Sequence, residues 1–408
     1  MMGPAQQSRR SQNMSDSIFI SAGEASGEHY GALLVEELQK RLASAGQSAQ
    51  FFGMGGTRME AAGLERIVRS EDVAVMGLTE VIRHLPRIYG EFRKLKQAIC
   101  ERRPSVAVLI DFPEIHFRLA EQLHQLGIPV IFFVSPQLWA WKKHRIKLVH
   151  KYIDRMLVIF PFEEEFYRKQ GVAAEFVGHP LAELPLPTIS RAQFAAENGL
   201  DADKTWIGLL PGSRPKEIRD ILPEILLAAR QLPSDYEFIV PQAATLDAAQ
   251  RAELLALVQE HGQGLAIKLV NDARATLFHV RASVVASGTA TVEAALIGNP
   301  FVVVYRVSPL TFAIAKRVVK VDHVAMVNLI AGRRAVPELI QNDFTAANIV
   351  QLIGPLLPDG APRQSMMQEL KRVQALLGAR PAGRDEEHPG AINRVAAVTL
   401  ELMREKTV

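Results

Sequence analysis

Several stretches of the chain carry side chains whose types and spacing could do chemistry. In "GLLPGSRPKEI" (208–218) an apolar run ends in Pro-Gly-Ser-Arg and a proline opens the next element. Gly212 lets a ligand approach the backbone, Ser213 and a helix N-terminus near Pro215 offer donors, and Arg214 supplies a planar fork suited to phosphate oxygens. In "SGTATVEAALIGNP" (287–300), Ser287 and Gly288 leave an apolar run, and Thr289 and Thr291 stand where a helix begins. Glu293 follows one turn later, close enough to that end to accept hydrogen bonds from ribose hydroxyls. Alone, the first stretch reads equally well as an ordinary β–α turn with Arg214 a surface charge, and Glu293 by itself reads better as good helix design. Together, in one half of the chain, they favour a nucleoside diphosphate. Neither matches a GxGxxG fingerprint or a Walker loop, so dinucleotide and ATP readings lose ground.

The first half has its own candidates. "SAGEASGEHYG" (21–31) is a glycine turn in which Gly23, Ser26 and Gly27 leave room for another molecule against the backbone. In "SVAVLIDFPE" (105–114), Asp111 closes a strand and Pro113 stops further pairing. A carboxylate at a strand's carboxyl end stands where a general base belongs, although capping the next helix is the commoner use of such an Asp. "SPQLWAWKKHRIKLVHKYIDR" (135–155) sets Trp139 and Trp141 before Lys142, Lys143 and Arg145, a combination suited to an anionic bilayer surface. The helical stretch 81–97 carries Val81, Leu85, Ile88, Tyr89, Phe92 and Leu95 on one face and reads as a helix covering a sheet.

These residues need elements to position them. A chain of 408 residues is too long for one ordinary core, so two domains are expected. β-rich runs alternate with amphipathic stretches, which predicts parallel sheets covered by helices. Strands are expected at 17–23, 49–56, 105–111, 129–135, 155–160 and 174–180, and again at 205–213, 236–243, 265–270, 282–288 and 300–306. Three prolines within 180–190 mark a linker. The fold class expected is α/β: two doubly wound Rossmann-like domains, 17–184 and 190–360, facing each other across a cleft. Residues 1–16 read as a disordered tail and 361–408 as a helical segment that could cross back to the first domain. The single cysteine, Cys100, rules out an internal disulfide framework and a Cys-based zinc site. No run of about 18 apolar residues predicts a membrane span, and a cytoplasmic location is expected. The formal charge of +3 permits an anionic partner without demanding one, and no nucleic acid is expected.

Taken in order, "SAGEASGE", "FFGMGGTRM", "MGLTEV", "SPQLWAW", "FPFE", "FVGHPL", "LLPGSRPKEI", "SGTATVEAAL", "FVVVYR" and "VPELIQ" resemble the lipid-A-disaccharide synthases, bacterial transferases of the GT-B type in glycosyltransferase family 19. The resemblance runs through nearly the whole chain. It implies inverting transfer of 2,3-diacylglucosamine from UDP-2,3-diacylglucosamine to 2,3-diacylglucosamine 1-phosphate, giving the β-1,6 disaccharide 1-phosphate and UDP. It also implies an acceptor-binding first domain, a UDP-sugar-binding second domain and peripheral association with the inner face of the cytoplasmic membrane. No cofactor and no metal are expected, and a homodimer is possible. Asp111 matches the family's candidate base, with Arg214 and Asn328 placed in the catalytic set. Arg306, Glu338 and Gln341 are expected to meet substrate. The chain departs from the usual pattern at Glu28 and Glu183, where Asp is common, and at Met326-Val327-Asn328 in place of Leu-Pro-Asn. Asp111-Phe112-Pro113-Glu114-Ile115-His116 stands for Asp-x-Pro-Asp-Phe-Asn, and His116 is expected to assist the base. An epimerase acting on a soluble UDP-sugar and a non-catalytic binding protein of the same fold are the rival readings.

Overall fold

The computed structural model describes residues 16–73, 78–140, 143–308, 312, 323–378 and 389–405, with the backbone alone for 78–85 and 143. The chain forms two compact units, Met1–Pro180 with Asp385–Val408, and Leu181–Arg384.

The first unit is built on seven strands: β1 (Asp16–Ala22), β2 (Ala49–Gly55), β3 (Glu65–Arg69), β4 (Val106–Ile110), β5 (Val130–Phe133), β6 (Arg155–Val158) and β7 (Ala174–Phe176). Their order across the sheet is β3-β2-β1-β4-β5-β6-β7, and the described pairings are parallel. A parallel sheet with both faces covered needs continuous apolar strands. "VAVLI" of β4 meets that need, every residue being fully buried. The chain moves outward from β1 to β3, then returns to the other side of β1 as β4. This reversal opens a crevice beyond the carboxyl ends of β1 and β4.

The second unit repeats the plan with β8 (Trp206–Leu210), β9 (Glu237–Pro241), β10 (Ile267–Val270), β11 (Ala282–Ala286), β12 (Phe301–Tyr305) and β13 (Glu338–Ile340). The order is β10-β9-β8-β11-β12-β13, so the reversal falls between β8 and β11. Strands β3 and β13 lie outside the expectation from sequence. Both are edge strands. Three of the five residues of "ERIVR" are charged, and "ELI" is too short to show a period.

The helix Ala361–Leu376 packs within the second unit through Met366, Leu370 and Val373. The helix Ala391–Glu405 belongs to the first unit, burying Ile392, Val395, Ala396, Thr399, Leu400 and Met403 at helical spacing. It lies on the helix Ala25–Ser44, where Arg41 donates to Asn393 Oδ1 at 2.8 Å, and Arg394 reaches the carbonyl of Phe176. In the helix Leu78–Arg102, Leu95 and Ile99 enter the core while Tyr89 is 61% exposed, so Tyr89 leaves the apolar face expected of it. No described helix is long and apolar enough to cross a membrane.

Candidate active site

In the first unit, the crevice between β1 and β4 collects the small residues and the carboxylate. Ser21 lies near the end of β1, the turn through Gly23 and Glu24 follows, and Ser26 and Gly27 open the helix Ala25–Ser44. Beside them β4 is followed by Asp111 and Phe112, with φ of 52° and 49°. The left-handed region costs a side-chain-bearing residue about 1–2 kcal/mol, so two in succession persist only if their surroundings hold them. The Asp111 N–H donates to the Phe133 carbonyl at 2.9 Å, and the Phe112 ring covers Gly23, where even a Cβ would come within 2.4 Å of it. Dehydration pushes the Asp111 carboxyl up to about 7, the nearby Glu24 charge adds to this, and the Phe112 N–H opposes it. A carboxyl poised there can accept a proton near neutral pH.

His116 has a different place from the one expected. It is fully buried, and its Nδ1 lies 2.6 Å from the Asp111 backbone carbonyl, a group that only accepts, so Nδ1 carries the proton. Burial lowers the imidazole to about 4 and keeps it neutral, which leaves Nε2 to accept from the Ser21 hydroxyl at 2.8 Å. His116 therefore meets the backbone of Asp111 rather than sharing its proton traffic. Glu28, one methylene longer than the usual Asp, reaches the N-terminus of the helix Thr57–Ala61 and accepts from the Arg58 N–H at 2.8 Å. Glu183 closes the short 3-10 turn Pro180–Glu183.

The aromatic and cationic segment is tied into the protein at two points. Trp139 is half-buried, its indole N–H donates to Glu163 at 3.2 Å and its ring meets Phe162 edge-on. Arg145 is tied to Glu114 at 2.6 Å and is mostly covered. Both side chains have partners within the protein, and Trp139 remains partly exposed. Trp141, Lys142 and the Lys143 side chain lie outside the described residues. Glu163 is fully buried among Trp139, the Phe160 N–H and Ser135, and burial raises it to about 8 against those hydrogen bonds. From its ordinary 4.5 up to about 8 the folded protein keeps a proton that the unfolded chain has released, so this group costs stability as pH rises. Glu163→Gln keeps the acceptor without the ionisation. Thermal melts should show the variant gaining on the parent steadily from pH 5 to 8; parallel curves would mean Glu163 is ionised in the fold.

The second unit holds two glycine turns on the adjacent strands β8 and β11. After β8, Gly212 has φ of 112° and the helix Pro215–Ala229 begins. A Cβ at Gly212 would lie 2.5 Å from Glu217 Oε2, so glycine is what lets the Glu217 carboxylate fold back over the turn. Glu217, missed in the sequence, accepts from the Arg214 N–H at 3.4 Å and from its guanidinium at 3.1 Å. Its acid three residues into the helix is a recognisable first-turn signal. Ser213 and Arg214 remain exposed beside the free N–H groups of that helix. After β11, Ser287 and Gly288 lead into the helix Thr289–Ile297, with Gly288 and Thr289 exposed at its start. Thr291 is buried and donates to the Gly288 carbonyl at 2.7 Å, which removes its hydroxyl from ligand contact. Glu293 pairs with Arg274 at 3.3 Å, and Arg274 also donates to the Pro185 carbonyl. Burial raises the Glu293 carboxyl while Arg274 lowers it.

Four expected site residues turn out to be braces. Asn328 is fully buried, donating to Val336 O and Glu338 Oε1 and accepting from the N–H groups of Ala335 and Val336. All of its hydrogen-bonding capacity is used within the protein, so it positions Glu338 and has nothing left for a reacting atom. Glu338 in turn accepts from the N–H groups of Val324 and Ala325 before the helix Met326–Ala331. Gln341 exchanges hydrogen bonds with both backbone groups of Val307. Arg306 donates to the Phe344 carbonyl at 2.6 Å, lies over its ring and faces Glu224.

An Asp-x-Asp pair, typical of metal-dependent transferases, occurs at Asp201-Ala202-Asp203. It stands before β8, at the opposite end of the strand from the phosphate-suited turn, and Asp201 spends an oxygen on the Asp203 N–H. Among the described residues, no cluster of three His, Cys, Asp or Glu side chains is placed to hold a metal ion.

The family model for lipid-A-disaccharide synthetase matches residues 18–387. A lipid-A-disaccharide synthase of Acidobacterium capsulatum is 60% identical, across 95% of this chain and 97% of its own length. The chain belongs to the lipid-A-disaccharide synthase family. Among solved structures it is similar to the calicheamicin glycosyltransferase CalG4, at a TM-score of 0.58 and 16% identity, covering 96% of this chain and 99% of that one. A UDP-N-acetylglucosamine 2-epimerase assigned in Listeria monocytogenes gives the same TM-score at 14% identity, covering 95% and 97% of the two chains. The fold is GT-B. At such low identity the fold is shared by transferase and epimerase alike, and sequence separates them.

Proposed function

We propose that the chain joins two acylated sugars, transferring 2,3-diacylglucosamine from its UDP carrier to 2,3-diacylglucosamine 1-phosphate with inversion. The observation that carries this reading is family membership along nearly the full chain, with 60% identity to one member. In the reaction the acceptor's 6-hydroxyl oxygen forms a bond to the anomeric carbon and gives its proton to the Asp111 carboxylate. The bond from that carbon to the diphosphate oxygen breaks, and UDP leaves with the electron pair. Arg214 and the free N–H groups at the starts of the helices Pro215–Ala229 and Thr289–Ile297 meet the charge that develops on UDP. Glu293, set beside Arg274, takes the ribose hydroxyls. Ser26, partly exposed at the start of the helix Ala25–Ser44, faces the acceptor, while Gly23 and Gly27 are buried and let the Phe112 ring and Ile110 pack close behind it. The substrates' acyl chains stay in the inner leaflet of the cytoplasmic membrane, which the enzyme meets from its surface.

The test combines both lipid substrates with the purified protein and EDTA, on anionic vesicles, with mass spectrometry of the products and sedimentation of the vesicles. Disaccharide 1-phosphate, released UDP and protein in the pellet are expected. A product that forms only when magnesium is restored would overturn metal independence. No product in either case, or protein left in the supernatant, would respectively overturn the reaction or the membrane contact.

A further inference from the structure

We propose that His116 is the positioning residue of the base: its Nδ1–H holds the Asp111 carbonyl and so fixes the backbone that presents the carboxylate. This rests on the reading of Asp111 as the base. Asp111 and Phe112 both take left-handed backbone, at φ of 52° and 49°, immediately after β4. Such a pair needs hydrogen bonds that no ordinary turn supplies. The His116 side chain supplies the one that the helix cannot, to Asp111 O at 2.6 Å, while its N–H to Phe112 O at 3.2 Å is the first ordinary bond of the helix Pro113–Gln125. The ring cannot slide, because Ser21 on β1 occupies Nε2 at 2.8 Å and the Phe112 ring stands edge-on to it at a centroid distance of 5.8 Å. Ser21 lies on β1 and Asp111 directly follows the neighbouring β4, the two strands being paired in register at Ser21 with Leu109 and Ala22 with Ile110. One buried imidazole therefore locks the ends of the two strands that bound the crevice. The neutral tautomer is required, since a donor at Nδ1 and an acceptor at Nε2 are both in use.

Four variants of the full chain test this: His116→Leu, His116→Asn, Ser21→Ala and Asp111→Asn, each checked by near-UV circular dichroism and thermal melt. His116→Leu should lower kcat about 10²-fold at unchanged KM for both substrates, as expected for a displaced reacting group. His116→Asn, whose amide can donate to the same carbonyl, should restore most of kcat. Ser21→Ala frees the ring to turn and should lower kcat about tenfold, again at unchanged KM. A folded His116→Leu with parental kcat would overturn the proposal, as would an Asn variant no better than the Leu variant. Should the Leu variant fail to fold, parental kcat in Ser21→Ala overturns it instead. Asp111→Asn separates the two levels: full turnover there removes the base and its positioner together. Loss there with a folded, active Leu variant removes the positioner alone.

Discussion

Asp111→Asn is expected to lower kcat about 10³-fold while UDP binds with unchanged affinity. Asparagine preserves the volume and the turn, because the backbone bonds to Phe133 and His116 involve Asp111 N and O rather than its carboxyl. What it removes is the proton acceptor. UDP affinity is insulated because the phosphate-suited turns at Gly212 and Gly288 belong to the other unit. The pH profile is the second signature. With its carboxyl at about 7, the parent should lose kcat/KM about tenfold per pH unit below that point, as the base becomes protonated, and level off above it. The residual rate of the variant should show no such limb. Isothermal calorimetry with UDP and initial rates across pH 5 to 9 check both halves. A variant that loses UDP affinity, or keeps the acid limb, would take Asp111 out of the base role. The variant should fold at least as well as the parent at pH 8, since a dehydrated carboxylate beside Glu24 is itself unfavourable.

Arg214→Met is expected to cost about 10²–10³-fold in kcat, the range for losing one preorganised donor aimed at developing charge. The side chain is half-exposed, and among the described residues its hydrogen bond and ion pair go to the Glu217 carboxylate. Methionine fills similar space, while Glu217 keeps its bond to the backbone N–H at position 214. The turn should survive, and the loss should appear in kcat more than in ground-state binding of the donor. Arg214→Lys should recover part of the rate, as a point charge without the fork. Steady-state kinetics in both substrates decide it. A raised donor KM with parental kcat would assign Arg214 to uniform binding, and unchanged kinetics would return it to the surface.

Much of the frame was legible in the chain because the signals are local. Continuous apolar runs such as "VAVLI" and "FVVVY" can be satisfied only between covered faces, and the glycine turns after them mark where backbone must come close to something else. The edge strands were not legible. "ERIVR" is charged because one of its sides meets no neighbouring strand, and that is a property of the sheet rather than of the segment.

The site divides in the same way. Residue types and spacing alone were enough to single out Asp111 at a strand end, Arg214 after Gly212, and Glu293 one turn into its helix. They could not say which polar side chains are already spoken for. Asn328, Glu338, Gln341 and Arg306 look like ligand contacts in the sequence and are braces in the fold. Trp139 looks like a membrane anchor and is held by a buried acid 24 positions away. Ser21 and His116 stand 95 residues apart and share one hydrogen bond. Hydrophobic period, glycine and proline act over a few residues and are written into the sequence directly. Hydrogen-bond partners are chosen by which strands come to lie side by side, and only the folded sheet decides that.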